Sequence, residues 1–229
     1  MSESVKSMFS RIAPKYDFMN NLLSFGLHHL WRTKAVRLSA AKPGDRVLDC
    51  ATGTGDLAIA FYRKTTPEGK VVATDFCSPM VDLARIKFKT KNLNIDAQVE
   101  DAMNLSFADN SFDISSISFG IRNVDSPAVA LSEMARVTRP GGHVLVLEFG
   151  QPRGFFNLLY KIYSKLFMPV MGLIFAADKD AYTYLPETAA KFPCREEFID
   201  IIKSTGAYSE CNYHVLSGGI AFIYIGIVS

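Results

Sequence analysis

Short apolar runs alternate with helical patterns through the middle of the chain, the rhythm of a parallel sheet flanked by helices. Compact apolar runs predict strands at Arg46–Cys50, Lys70–Asp75, Ile95–Glu100, Phe112–Ser118 and His143–Phe149. Apolar positions at helical spacing predict helices at Gly55–Thr66, Ser78–Lys91 and Pro127–Arg136. Pro140-Gly141-Gly142 reads as the turn that opens the fifth strand. The rhythm breaks over residues 151–192 and resumes with a helix near Cys194–Thr205. Two final runs, Tyr208–Val215 and Ile220–Val228, are joined by Leu216-Ser217-Gly218-Gly219 and read as an antiparallel hairpin. The expectation is an α/β fold in one domain, residues 1–229. It comprises a helical N-terminal cover (1–45), a ligand-binding core (46–150), an apolar insertion (151–192) and a C-terminal helix and hairpin (193–229).

Composition supports a well-packed core: 48% of the 229 residues are hydrophobic and 21% charged, which excludes a disordered chain. The net charge of +2 speaks against nucleic acid as a partner. The charge is nevertheless uneven. Residues 1–46 hold eight basic against three acidic side chains, and residues 47–150 hold ten against thirteen. Cys50, Cys77, Cys194 and Cys211 are too far apart for a CxxC or zinc pattern and read as reduced thiols of a cytoplasmic protein. The N-terminus has no apolar run of secretory type. A spanning helix needs roughly 20 apolar residues in sequence. The one stretch of that length, Phe155–Phe175, is interrupted by Asn157, Lys161, Lys165 and Pro169.

The strongest local pattern is Val47-Leu48-Asp49-Cys50-Ala51-Thr52-Gly53-Thr54-Gly55-Asp56. Gly53 and Gly55 fall in a strand-to-helix turn where a ligand can approach the backbone. Asp75, twenty residues after Gly55, ends the second strand, where an acid can accept both ribose hydroxyls. The same spacing loosely fits a dinucleotide site, but Asp49 and Asp56 bracket the turn. A pyrophosphate there meets like charges, each costing roughly 4 kcal/mol at 4 Å and an effective dielectric of 20. S-adenosylmethionine, with a sulfonium and an ammonium, is attracted instead. Glu100-Asp101-Ala102 and Ser118 follow at the next strand ends. Asp101 and the Ala102 amide suit an adenine edge, and Ser118 suits the methionine part. Each position alone is also an ordinary loop cap or tight turn. Together they occupy four successive strand ends, where ligands of open α/β sheets collect.

The chain resembles the class I S-adenosylmethionine-dependent methyltransferases, and within them the ubiquinone/menaquinone biosynthesis C-methyltransferases. The likeness rests on Tyr16-Asp17-Phe18-Met19-Asn20-Asn21-Leu22-Leu23-Ser24-Phe25-Gly26-Leu27-His28-His29-Leu30-Trp31-Arg32 and on Phe119-Gly120-Ile121-Arg122-Asn123-Val124. Arg136-Val137-Thr138-Arg139-Pro140-Gly141-Gly142 and Asp180-Ala181-Tyr182-Thr183-Tyr184-Leu185-Pro186 extend it to nearly the whole chain. The resemblance implies a Rossmann-like, mostly parallel seven-stranded sheet with helices on both faces and a C-terminal antiparallel hairpin. It implies that Thr54, Asp75, Asp101, Ala102 and Ser118 join Asp49, Gly53 and Gly55 in binding S-adenosylmethionine. It further implies a polyprenylated quinol as acceptor, demethylmenaquinol ahead of the benzoquinol. Thr52 departs from the pattern, which usually has glycine there.

Methylating a ring carbon requires electron density from a phenolate, and a phenol of pKa about 10 ionises readily beside a fixed cation. Arg122 is the expected cation, Asn123 orients the hydroxyl or a water, and Tyr16 completes the network, with His28 or His29 as proton acceptor. Their plainer readings are a loop-fixing ion pair for Arg122, a core aromatic for Tyr16 and helix packing for the histidines. No metal constellation stands out. In Phe155–Phe175 the polar positions Asn157, Lys161, Ser164 and Lys165 form one narrow helical stripe. The remaining surface is apolar and expects burial, a second copy of the chain or contact with lipid. A lid for the prenyl tail, lined by Tyr182, Tyr184 and Phe192, and peripheral membrane contact by the basic cover follow as expectations. The competing readings are a methyltransferase of another lipophilic acceptor and a non-catalytic cofactor-binding module.

Overall fold

Val47, Leu48 and Cys50 of β1 (Arg46–Cys50) are all fully buried, the mark of a strand covered on both faces. A computed structural model describes residues 3–154, 156–157, 160, 184 and 187–229. Around β1, the strands β2 (Lys70–Asp75), β3 (Asp96–Val99), β4 (Phe112–Ser118) and β5 (Thr138–Phe149) pair in parallel. The hairpin β6 (Tyr208–Leu216) and β7 (Ala221–Val228) closes the sheet, with β7 antiparallel to β5. The order β3-β2-β1-β4-β5-β7-β6 makes a seven-stranded sheet among the described residues. Strand order reverses between β1 and β4, and the carboxyl ends there form the crevice in which such sheets hold ligands.

Two helical layers cover the sheet. Leu57 and Phe61 of α4 (Asp56–Thr65) and Phe88 of α5 (Ser78–Thr90) pack with Val47 and Val71. Leu131 and Met134 of α6 (Pro127–Val137) and Phe198 of α7 (Glu196–Ser204) pack with Ile117, Phe222 and Tyr224. The N-terminal cover is α1 (Glu3–Ile12), a tight turn at Ala13–Lys15, α2 (Tyr16–Ser24) and α3 (Leu27–Leu38). Trp31 anchors α3 on Leu145, Leu147 and Ile223 of β5 and β7, and its indole donates to Ser217 Oγ at 3.0 Å.

One expectation changes. β5 starts at Thr138, so Pro140-Gly141-Gly142 lies inside the strand, absorbed by a register shift opposite Phe112 and Ile114. Phe192 packs on Phe198 against the core, with ring centroids 5.4 Å apart. The helix expected over Phe155–Phe175 lies outside the described residues, apart from 156, 157 and 160, as does Tyr182. Among the described residues, no helix is long and apolar enough to cross a membrane.

Candidate active site

The turn after β1 takes its shape from two glycines. Gly55 has φ +89°, and a Cβ there would fall 2.3 Å from Phe88 Cζ, so its missing side chain makes room for α5. Gly53, at φ +57°, is the open one: a Cβ would meet Tyr16 Cε1 at 3.5 Å. The Tyr16 ring therefore lies against the turn where a ligand approaches the backbone.

Asp75 sits at the end of β2, 8% exposed. It accepts from the Gly53 amide at 2.8 Å and the Cys77 amide at 2.9 Å, one bond to each oxygen. Burial raises its carboxyl above the ordinary value, and the two amides oppose that rise. Each oxygen keeps a lone pair for a ribose hydroxyl. Asp101 Oδ1 accepts from the Met103 amide at 2.9 Å, beside the buried Ala102, and Ser118 ends β4 half-buried. Gly53, Asp75, Asp101, Ala102 and Ser118 thus line up along successive strand ends, an acidic set that fits a cationic cofactor.

Asp49 and Thr54 are placed differently. The Asp49 carboxylate is wholly buried, accepting from Thr52 Oγ1 at 2.6 Å and Ser116 Oγ at 2.7 Å, and it joins β1 to β4. Burial pushes its carboxyl up to about 6 against those bonds. Thr52, the departure from the usual glycine, supplies one of them. Thr54 Oγ1 donates to Asp17 Oδ1 and accepts from Lys87 Nζ at 2.9 Å. Lys87 also donates to Asp17 and, at 2.9 Å, to Asp56, whose other oxygen takes Arg32 Nη1 at 2.9 Å. Two cations and two anions from α2, α3, α4 and α5 thus clamp the cover across the turn, immediately beside Tyr16. Asp17 and Lys87 were missed in the sequence; their partners lie 37 and 70 residues apart, beyond any local pattern.

Beside the turn opens a cavity of about 470 Å³. Its walls include Leu23, Trp31, Phe119, Phe149 and Ile220, with Tyr16, His28 and Arg32 as polar members. The Phe119 and Phe149 ring centroids lie 4.4 Å apart, tilted by 32°. Arg122 and Asn123 are not among the described residues that line it. Arg122 Nη1 donates to Glu148 Oε1 at 2.8 Å and to the Phe119 carbonyl at 2.6 Å, and its Cζ stands over the Phe149 ring at 5.4 Å. Burial raises the Glu148 carboxyl while Arg122 lowers it. The loop-fixing ion pair is therefore real, and it holds a positive charge one ring behind the cavity wall. That charge favours ionisation of Tyr16, Tyr160 and Tyr184, although burial keeps each phenol above its ordinary value. Asn123 Oδ1 accepts from Tyr184 at 2.9 Å. Glu148 was missed as well; its sign is one acid inside the apolar run Val144–Phe149.

His28 is 4% exposed, hydrogen-bonded to Ser24 and lowered to about 4 by burial, Arg32 and His29. It faces the cavity neutral, whereas His29 is exposed and bonds Asn21 at 2.7 Å. His28, His29 and Asp56 are the one metal-type cluster among the described residues. Asp56 already carries Lys87 and Arg32, and two cations repel a third.

Sheet order, glycine turn and acid-lined strand ends define an S-adenosylmethionine-dependent methyltransferase of the Rossmann-like class. The chain belongs to the ubiE/COQ5 methyltransferase family, whose pattern it matches over residues 1–228. It is 55% identical over 227 residues to the ubiquinone/menaquinone biosynthesis C-methyltransferase UbiE of Bdellovibrio bacteriovorus, covering 99% of this chain and 96% of that one. It is 41% identical over 220 residues to a demethylmenaquinone methyltransferase of Thermus thermophilus, covering 96% and 99%. Among solved structures, S-adenosylmethionine-dependent methyltransferases from Thermotoga maritima and Aquifex aeolicus superpose with TM-scores of 0.68 and 0.64, each at 19% identity. The former alignment covers 96% of this chain and 98% of its partner, the latter 86% and 89%.

Proposed function

We propose that the protein methylates a ring carbon of a polyprenylated quinol in quinone biosynthesis, with demethylmenaquinol as the acceptor. One observation carries the reading: Tyr16 both lines the aromatic-walled cavity and lies against Gly53 of the cofactor turn. Acceptor ring and methyl donor therefore meet at one side chain. The apolar walls take an aromatic headgroup and the first part of its tail, a shape and polarity that a hydrophilic acceptor does not fit.

S-adenosylmethionine supplies an electrophilic methyl group when bound. Asp75 would hold its ribose, Asp101 and Ala102 its adenine, and Gly53 and Ser118 its methionine part. Asp49 and Thr54 serve the same turn through side-chain bonds, Asp49 to Thr52 and Ser116 and Thr54 to Asp17 and Lys87. Arg122 stabilises the developing phenolate through the cavity wall, where little water screens the charge. Asn123 and Tyr184 orient the hydroxyl side of the ring, and Tyr16 closes the network. The clamp of Asp17, Asp56, Lys87 and Arg32 holds α2, and with it Tyr16, against the turn, which would limit how far the acceptor could shift from the methyl donor.

The test incubates the protein with labelled S-adenosylmethionine and, separately, reduced demethylmenaquinone and the corresponding benzoquinol. Label in the naphthoquinol is expected; label in neither lipid rejects the proposal.

A further inference from the structure

The corner between α2 and α3, at Phe25 and Gly26, leaves large apolar side chains in water. Phe18 is 56% exposed, Phe25 67%, Leu27 38% and Leu30 66%. Phe25 and Leu27 also line the cavity, so this corner is its mouth. Charge is graded away from it on both sides. Along α3, Leu27, Leu30, Lys34 and Arg37 follow one another at three- and four-residue spacing and share one stripe. At ~1.5 Å per residue, Lys34 and Arg37 stand about 6 and 10 Å beyond Leu30. Running back from the corner through α2, the exposed positions are Phe25, Asn21 and Phe18, then Lys15, Pro14 and Arg11. No acid interrupts either stripe. Asp17 is held by Lys87 and Thr54, and Asp45 is buried with its carboxylate on the Lys42 amide.

We propose that the α2–α3 corner inserts into the surface of an anionic bilayer. Phe25, Leu27 and Leu30 enter the acyl boundary, and Lys34, Arg37 and Lys15 meet the headgroups. The spacing matches the ~5–10 Å that separates these depths for interfacial helices. The cavity then opens directly into lipid, and an apolar acceptor reaches it without crossing water. That consequence rests on the lipid acceptor proposed above; the interface itself is read from exposure and charge.

Sedimentation of the full-length protein with vesicles tests it without any acceptor. Vesicles of phosphatidylcholine with phosphatidylglycerol should retain the protein, and phosphatidylcholine alone should retain it weakly. Leu30→Asp should lower affinity for the mixed vesicles about tenfold or more. The pair Lys34→Glu and Arg37→Glu should remove the preference for phosphatidylglycerol. Calorimetric binding of S-adenosylmethionine by Leu30→Asp, unchanged from the parent, establishes that the variant is folded. Independently, Leu30→Trp should be quenched by lipids brominated on the acyl chain. Equal retention of Leu30→Asp and parent protein, equal retention on both vesicles, or an unquenched Leu30→Trp overturns the proposal. So does a parent dimer that Leu30→Asp dissociates, because a second copy then occupies the face. Vesicle binding without methylation of either quinol would reject the function proposed above and leave this interface standing.

Discussion

Glu148 Oε1 lies 2.8 Å from Arg122 Nη1, and both side chains are sealed from water, at 0% and 5% exposure. Breaking such a pair leaves an uncompensated buried charge. Arg122→Ala should therefore cost about 3–5 kcal/mol of stability by denaturant melting. Arg122→Met combined with Glu148→Leu should recover most of that loss while label transfer to the quinol stays abolished. A fast, stable double variant would reduce Arg122 to a structural role.

The clamp gives a second expectation. Lys87→Met removes the donor shared by Asp17, Thr54 and Asp56. Hydrogen bonds to charged groups contribute about 1.5–3 kcal/mol each, and 1.4 kcal/mol is about tenfold in an equilibrium constant. Affinity for S-adenosylmethionine should fall about tenfold by calorimetry, and turnover should fall with it. Lys87→Arg should restore part of both.

Gly55 combines a left-handed backbone with a crowded site. Gly55→Ala should lose about 2–4 kcal/mol from backbone strain and overpacking together. Adding Phe88→Leu should return the overpacking share alone, read as the difference between two thermal melts.

Acid acts on two buried groups in opposite directions. His28 is held down to about 4, so below its ordinary 6.5 the unfolded chain takes a proton that the folded one refuses. Stability present above about 6.5 is thus lost as pH falls toward 4. Asp49 is raised to about 6 from 3.8, so the folded form takes its proton first and gains as pH falls through that interval. His28→Asn should flatten the acid limb of a melting-temperature profile, and Asp49→Asn should steepen it.

The sheet was legible because short strand-forming runs alternate with helical patterns: β1, β2 and β4 begin and end where the sequence places them. The start of β5 was not, because Pro140 and two glycines signal a break that a register shift accommodates. In the site, Gly53 and Asp75 could be found by spacing along one βαβ unit. Lys87, Asp17 and Glu148 could not be paired, since their contacts join helices and strands distant in sequence. The sequence also could not tell a strand-end carboxylate held by backbone amides from one wholly buried between strands, as Asp75 and Asp49 turn out to be.

The second helix is a rod of nine residues, about 13 Å long. Tyr16 at one end rests on the cofactor turn, and Ser24 at the other borders the mouth of the cavity. A tilt of this rod would move both ends together, so Tyr16 ties the cofactor turn to the mouth of the cavity. Any coupling carried by that rod would be mutual, each end changing affinity at the other by the same factor.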